Sequence, residues 1–267
     1  MGIVNISSPK GGVGKSTLAT NMAAIFADNG MRTLLIDYDP QNAVRVFFNL
    51  PLTYDDGWYD GASKRHSLFD HLVEVRKNLF LLPFGKFEID ARAQLTITDQ
   101  VSEKWLATQL QGFLSEGFLI LNDTAAGGGV TGHYAANAAA LEIIVLEPDP
   151  SSLALLDPVE WFRAESKVPV SFILNKTDPT RHLARDMEVV MTRHLGQDLL
   201  GSVRRDQHVP EALARRSLFI DQAPNASSTN DLYKVADKLL ERYGARIGVR
   251  LEDGRRHGAG LVGFAKG

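Results

Sequence analysis

Ser8 to Thr17 read SPKGGVGKST, and this stretch decides the fold. Its end, Gly14-Lys15-Ser16-Thr17, completes a phosphate-binding loop of the form G-x-x-x-x-G-K-[ST]. In such a loop backbone N–H groups, here those of Gly11, Gly12, Val13 and Gly14, cradle phosphates; the lysine reaches the β- and γ-phosphates and the next hydroxyl holds Mg²⁺. The strict pattern wants glycine at position 9, where this chain has Pro9, followed by Lys10. A lysine there sits at the mouth of the loop, too early in the turn to wrap its own phosphates but able to point outward toward a facing molecule. The resulting pattern is K-G-G-x-G-K-[ST].

The surroundings agree with the loop. Residues 2–8, GIVNISS, read as a short buried strand, and after the loop Leu18, Met22, Ile25 and Phe26 recur at helical spacing. Strand, glycine-rich turn and helix start therefore come in the required order, and the positive end of the helix adds to the charge of Lys15 at an anion site.

The same kind of strand recurs along the chain. Near-continuous apolar runs at 32–38 (RTLLIDY), 79–83 (LFLLP), 118–123 (FLILND), 142–147 (EIIVLE) and 170–175 (VSFILN) fit strands covered on both faces. Segments 99–115 and 151–165 are long enough to be crossover helices, so the expected fold is α/β, a doubly wound, mostly parallel sheet with helices on both faces. Ligands in that fold bind at the carboxyl ends of the strands, where Asp37, Asp39, Asp123 and Asn175 fall. Asp39 is read as the group that orients attacking water, with a turn cap before Pro40 as the alternative. Asp123, with Asp37 and Ser16, is read as the Mg²⁺ set, partly through water; a helix N-cap is the alternative for Asp123. Thr124 and Gly127 to Gly129 form a loop that can sense a γ-phosphate. Asn175 can offer a carbonyl and an amide to a purine edge, or be a turn residue.

With 267 residues, 44% hydrophobic and 23% charged, the chain can bury a large core, read as one domain over residues 1–243 and a glycine-rich, poorly ordered tail over 244–267. It has no cysteine, which excludes disulfides and thiol chemistry. No signal peptide or membrane-length apolar run is read, so the expected location is cytoplasmic. A net charge of −3 argues against nucleic acid as the main partner.

Together KGGVGKST, the DYDPQ turn, the strand ending in Asp123, the LNK strand end and the later RRDQHVPEA segment resemble the ParA/MinD group of deviant Walker A ATPases, over nearly the whole chain to about Tyr243. Within that group, residues 42–87, with FFNLPLTYDDGW and LLPFG, resemble the BcsQ proteins of bacterial cellulose synthase operons. The resemblance implies an ATP-binding, Mg²⁺-dependent homodimer in which Lys10 of each subunit crosses to the phosphates held by the other. Lys15 and Asp39 then act in slow hydrolysis, and Asn175 and Arg205 lie at the nucleotide. It also implies cellulose synthase components as partners, with the membrane or cell pole reached only through them. Two other classes stay open: a DNA-partitioning ATPase, and an assembly factor that barely hydrolyses. The Walker B region departs from the group's usual I-D-T-P-P, having Asn122, Asp123, Thr124, Ala125 and Ala126.

The remaining signals are weaker. His66, His71, His133, His182, His194, His208 and His257 show no spacing suited to a metal. Arg204 with Arg205 and Arg215 with Arg216 are read as solvated arginines rather than a DNA patch. Trp58 and Tyr59 form either a partner anchor or a packing cluster.

Overall fold

The computed structural model describes residues 2–64, 66–86, 103–127, 135 and 137–249. Its strands are β1 (Ile3–Ser7), β2 (Thr33–Asp37), β3 (Val73–Arg76), β4 (Leu79–Leu82), β5 (Leu119–Asp123), β6 (Leu141–Leu146), β7 (Val170–Thr177) and β8 (Leu199–Arg204). The helices are α1 (Lys15–Asp28), α2 (Val44–Phe47), α3 (Trp58–Lys64), α4 (Glu103–Ser115), α5 (Pro150–Leu153), α6 (Leu156–Glu165), α7 (His182–Leu195), α8 (His208–Ala214), α9 (Phe219–Gln222) and α10 (Ser227–Tyr243). The sheet order is β3-β4-β2-β5-β1-β6-β7-β8, and only the β3–β4 pair is antiparallel. The chain runs outward from β1 to β2, returns through β5 to β1's side, and continues as β6 on the other. The strand order reverses at β1, so the crevice at its carboxyl end, where the phosphate loop lies, is the site the topology creates.

Alternation along β1 divides the core. Val4 and Ile6 pack with α1 and α10 on one face, through Leu18, Met22, Ile25, Leu232 and Leu239. Ile3, Leu34, Ile36 and Ile120 face α4 and the aromatic residues Trp58 and Phe84 on the other, while Ile144, Phe172 and Leu174 meet Leu156, Met191 and Leu195. The sheet is thus doubly wound, as the apolar runs predict.

Several expectations need correcting. The strands β3 and β8 are not among the predicted runs: β3, VEVR, is a charged edge strand, and the polar interior of β8, LLGSVR, hides its period. The segment predicted as one helix from 151 breaks into α5 and α6, because a continuous helix would drive the ring of Pro158 into the Ala154 carbonyl. The tail begins later than Gly244. Ile247 is fully buried against Gly2 and Val249 joins the same core; residues 250–267 lie outside the described residues. Trp58 is a packing residue, fully buried, with its ring 5.1 Å from that of Tyr38 in a tilted contact and 5.1 Å from that of Phe84 in an edge contact.

The arginine pairs are held separately. Arg204 binds Asp231 through Nε and Nη2, Arg205 binds Glu147, Arg215 binds Gln222 and Arg216 reaches the Leu50 carbonyl. Among the described residues no helix is long and apolar enough to cross a membrane.

One row of side chains breaks the apolar rule. Asn122 of β5, Asn5 of β1 and Glu142 of β6 are register partners at the sheet centre, all buried. Asn5 Nδ2 donates to Glu142 Oε2 at 2.6 Å and the Ser7 hydroxyl donates to Oε1. Burial outweighs these bonds and pushes the Glu142 carboxyl up from 4.5 to about 7. The folded state therefore binds this proton more tightly than the unfolded chain. Its contribution to stability is fully present below pH 4.5 and is lost as the pH rises through about 7. The loss amounts to roughly 3 kcal/mol. Glu142→Gln should remove that slope, since Asn5 Oδ1 is unpartnered and an amide flip at Asn5 can accept from the new NH₂. Urea denaturation of both proteins at pH 5 and pH 7.5 is the check: equal losses of stability across the interval would show that Glu142 does not titrate there.

Candidate nucleotide site at the carboxyl end of the sheet

The phosphate loop leaves β1 and enters α1 through backbone that only glycine adopts easily, with φ of 77° at Gly12 and 91° at Gly14. Gly14 is the N-cap of α1 and no side chain caps the helix, so its first N–H groups face the crevice. Glycine is needed at 14 for a second reason. A Cβ there would stand 2.3 Å from Asn175 Nδ2, which donates to the Val13 carbonyl at 2.7 Å. Lys176, itself at φ 59°, donates to the Gly12 carbonyl and pairs with Glu147 at 3.3 Å. The end of β7 thus forms the floor of the loop. On the other side Gly127 N–H donates to the Ser8 carbonyl at 2.9 Å, and Thr124 donates to Ile6 through both N–H and hydroxyl.

Inside this frame Lys15 Nζ donates to Asp123 Oδ1 at 2.8 Å, both side chains almost fully buried. Asp37 lies across the β2–β5 ladder as the register partner of Asp123. Its Oδ1 accepts from the Asp39 N–H at 2.9 Å and its Oδ2 from Val44 N–H at 3.2 Å. Burial, and then the charge of Asp123, hold the Asp37 carboxyl well above the usual carboxylate range. Burial also raises Asp123, against the opposing pull of Lys15 and a hydrogen bond from Ser16. Two buried carboxyls lie side by side with Lys15 bound to one of them, and Asp123 Oδ2 has no hydrogen-bond partner among the described residues. A hydroxyl and two carboxylates are the hard-oxygen set a magnesium ion takes, so Ser16, Asp37 and Asp123 fit that cation.

The structure brings Lys15, Ser16, Asp37 and Asp123 together, with Asp39 half-buried on the following turn and its Oδ1 accepting from Gln41 N–H at 3.0 Å. Lys10 is placed differently from the outward-pointing expectation. It folds back onto its own chain, donating to Asp149 Oδ2 at 2.5 Å and to Ser151 Oγ at 2.6 Å. Burial opposes the charge on Asp149, but Lys10 and the Ser152 amide overcome it and hold this carboxyl at about 2. Asn175 has its amide committed to the loop. Arg205 sits at the end of β8, exposed and paired with Glu147 at 3.0 Å, its N–H bound to the Thr177 carbonyl. Gly128, Gly129 and His133 lie outside the described residues.

Sequence reasoning missed Glu147, Asp149, Ser151 and Lys176. Asp149-Pro150 carried a signal, an N-cap acid with proline at the first helical position, and Asp149 Oδ1 does accept from Ser152 N–H at 2.7 Å.

Comparison with known proteins bears on family and fold. The chain is 26% identical to the chromosome-partitioning ATPase Soj of Thermus thermophilus, over 90% of this chain and 95% of that one. It is 29% identical to the cellulose biosynthesis protein BcsQ of Escherichia coli over 34% of this chain and 36% of that one. Its fold is that of the septum site-determining protein MinD of Pyrococcus horikoshii complexed with Mg-ADP, with TM-score 0.73, 19% identity and coverage of 91% and 98%. The model of the family described as cellulose biosynthesis protein BcsQ matches residues 1–240, and the chain, a ParA/MinD-like P-loop protein, belongs to that family.

Proposed function

We propose that this chain is an ATP-dependent dimeric switch that helps assemble, localise or activate a bacterial cellulose synthase complex from the cytoplasm. The observation that carries the switch is the pair of lysines at one phosphate loop. Lys15 is buried on Asp123, while Lys10 is held at the mouth by a contact that is only one-fifth to one-third exposed. Family membership and the BcsQ relative support the cellulose branch.

The reading assigns roles as follows. The amides of the loop and of the first turn of α1 bind phosphate oxygens, and Lys15 turns from Asp123 to the β- and γ-phosphates. Ser16, Asp37 and Asp123 hold Mg²⁺, which neutralises charge on the phosphates when bound. Asp39, fixed on the turn after β2, orients the attacking water. Lys10 leaves Asp149 and reaches the phosphates of a second copy, offsetting the repulsion between two facing nucleotides. Asn175 and Arg205, on the β7–β8 rim, flank the base.

Lys15→Ala should abolish nucleotide binding, whereas Lys10→Ala should bind ATP with unchanged affinity and fail to dimerise in sedimentation. A Lys10→Ala protein that dimerises normally with ATP would sink the trans-lysine role. Asp149 competes for the same ammonium group, so Asp149→Ala should dimerise at lower ATP concentration than the parent; a higher requirement would show that Asp149 serves the dimer instead.

Asp39→Ala should slow single-turnover hydrolysis by roughly 10²-fold or more with little change in ATP affinity, and so accumulate the dimer. Equal losses in rate and affinity would make Asp39 a binding group. A parent protein that releases no phosphate would leave an assembly factor.

A second reading, DNA or cargo partitioning, is favoured by the full-length similarity to Soj. Micromolar, ATP-dependent binding to non-specific duplex DNA at physiological salt, with cellulose output unchanged in a deletion strain, would select it.

A further inference from the structure

Trp58 is more than core filling. Its indole N–H donates to the Asp37 carbonyl at 2.7 Å, and its ring is fully buried between Tyr38 and Phe84. That carbonyl closes β2, and β4 is the neighbouring strand on its outer side. The β2–β4 ladder stops at Ile36 and Leu82, one residue short of Asp37. Trp58 fills the gap. Its main-chain N–H binds the Pro83 carbonyl at 3.0 Å, Tyr59 N–H binds the Phe84 carbonyl at 3.1 Å, and the indole reaches across to β2. The approach depends on the preceding Gly57, where a Cβ would lie 2.4 Å from the Pro83 carbonyl oxygen. Asn42 ties the turn after β2 to the same segment, donating to the Gly85 carbonyl at 3.2 Å.

We infer that Trp58 is a positioning residue for the cation site, its indole N–H standing in for a missing ladder bond and fixing the end of β2 so that Asp37, and Asp39 two residues on, keep their place beside Asp123. Among the described residues the side chain of Asp37 is held by the amides of Asp39 and Val44, both on the turn that the carbonyl anchors. Without the indole donor the buried carbonyl loses its partner and that turn loses its fixed end. Partners that orient a metal ligand from behind typically change metal affinity 10- to 100-fold when removed. The inference rests on the proposed Mg²⁺ role of Asp37.

Trp58→Phe keeps an aromatic ring and removes the donor. Tyr38→Phe is the control, since it alters the same cluster but removes a hydroxyl that has no partner. Binding of a fluorescent ATP analogue is titrated with Mg²⁺ and repeated in EDTA, alongside thermal melting without nucleotide. Trp58→Phe should need about tenfold more Mg²⁺ for half-saturation, with EDTA affinity unchanged, while Tyr38→Phe tracks the parent in both. A parent-like Mg²⁺ requirement in Trp58→Phe overturns the inference alone, as does an equal loss with and without Mg²⁺, which marks a purely structural role. A parent protein whose nucleotide binding ignores Mg²⁺ overturns the cation site itself, and the inference with it.

Discussion

The buried ion pair between Lys15 and Asp123 is the constraint around which the site is arranged. Charges out of water are stabilised only by well-placed partners, and breaking such a pair from one side typically costs about 3–5 kcal/mol. Here the pair is also out of balance, because Asp37 adds a second buried carboxylate. The protein offsets that by aiming amides of Asp39 and Val44 at Asp37, while burial raises both carboxyls above their ordinary range. A structure built this way is preloaded for a cation. Lys15 can leave Asp123 for a phosphate only when another positive charge takes its place, so nucleotide and metal are expected to enter together.

Lys10 obeys the opposite logic. Its contact with Asp149 is more exposed than the Lys15–Asp123 pair, so water screens it more. Such a contact holds the side chain in one place while leaving it open to competition from another anion. The two lysines are five sequence positions apart yet differ in burial, and burial decides their behaviour. One is committed until a cation relieves it; the other is available to whatever negative charge approaches the mouth.

Much of this was legible in the sequence. The acids at the strand ends stand out because β2 runs Leu34-Leu35-Ile36 into Asp37 and β5 runs Leu119-Ile120-Leu121 into Asn122 and Asp123. The loop and its helix follow from glycine spacing and apolar periodicity. What could not be read depended on contacts distant in sequence. Trp58 reads as either a partner anchor or a packing residue in an acid-rich loop until the β2–β4 ladder stops short of Asp37 and its indole meets that carbonyl. Asp149 reads as a helix cap, which it is; its second oxygen meets Lys10 across 139 positions. β8 has no continuous apolar run because Gly201 lies where Val235 comes within 2.9 Å of an added Cβ. The tail was read from glycine content, whereas Ile247 is claimed by the core next to Gly2.

The loop itself is restrained on three sides and open on the fourth. β7 supports it from below through Asn175 and Lys176, the Ser8–Gly127 bond ties its entry to the end of β5, and Lys10 links its mouth to α5. The first two restraints are built into main-chain carbonyls and do not compete with an anion, whereas the third is an ammonium group that does. Under the proposed switch, an anion at the open side would leave the floor in place and compete for the ammonium group at the mouth. The corner poised to respond is then Lys10 with α5, and the exposed apolar residues of the neighbouring α6, Trp161 and Phe162, ride on the segment that follows it.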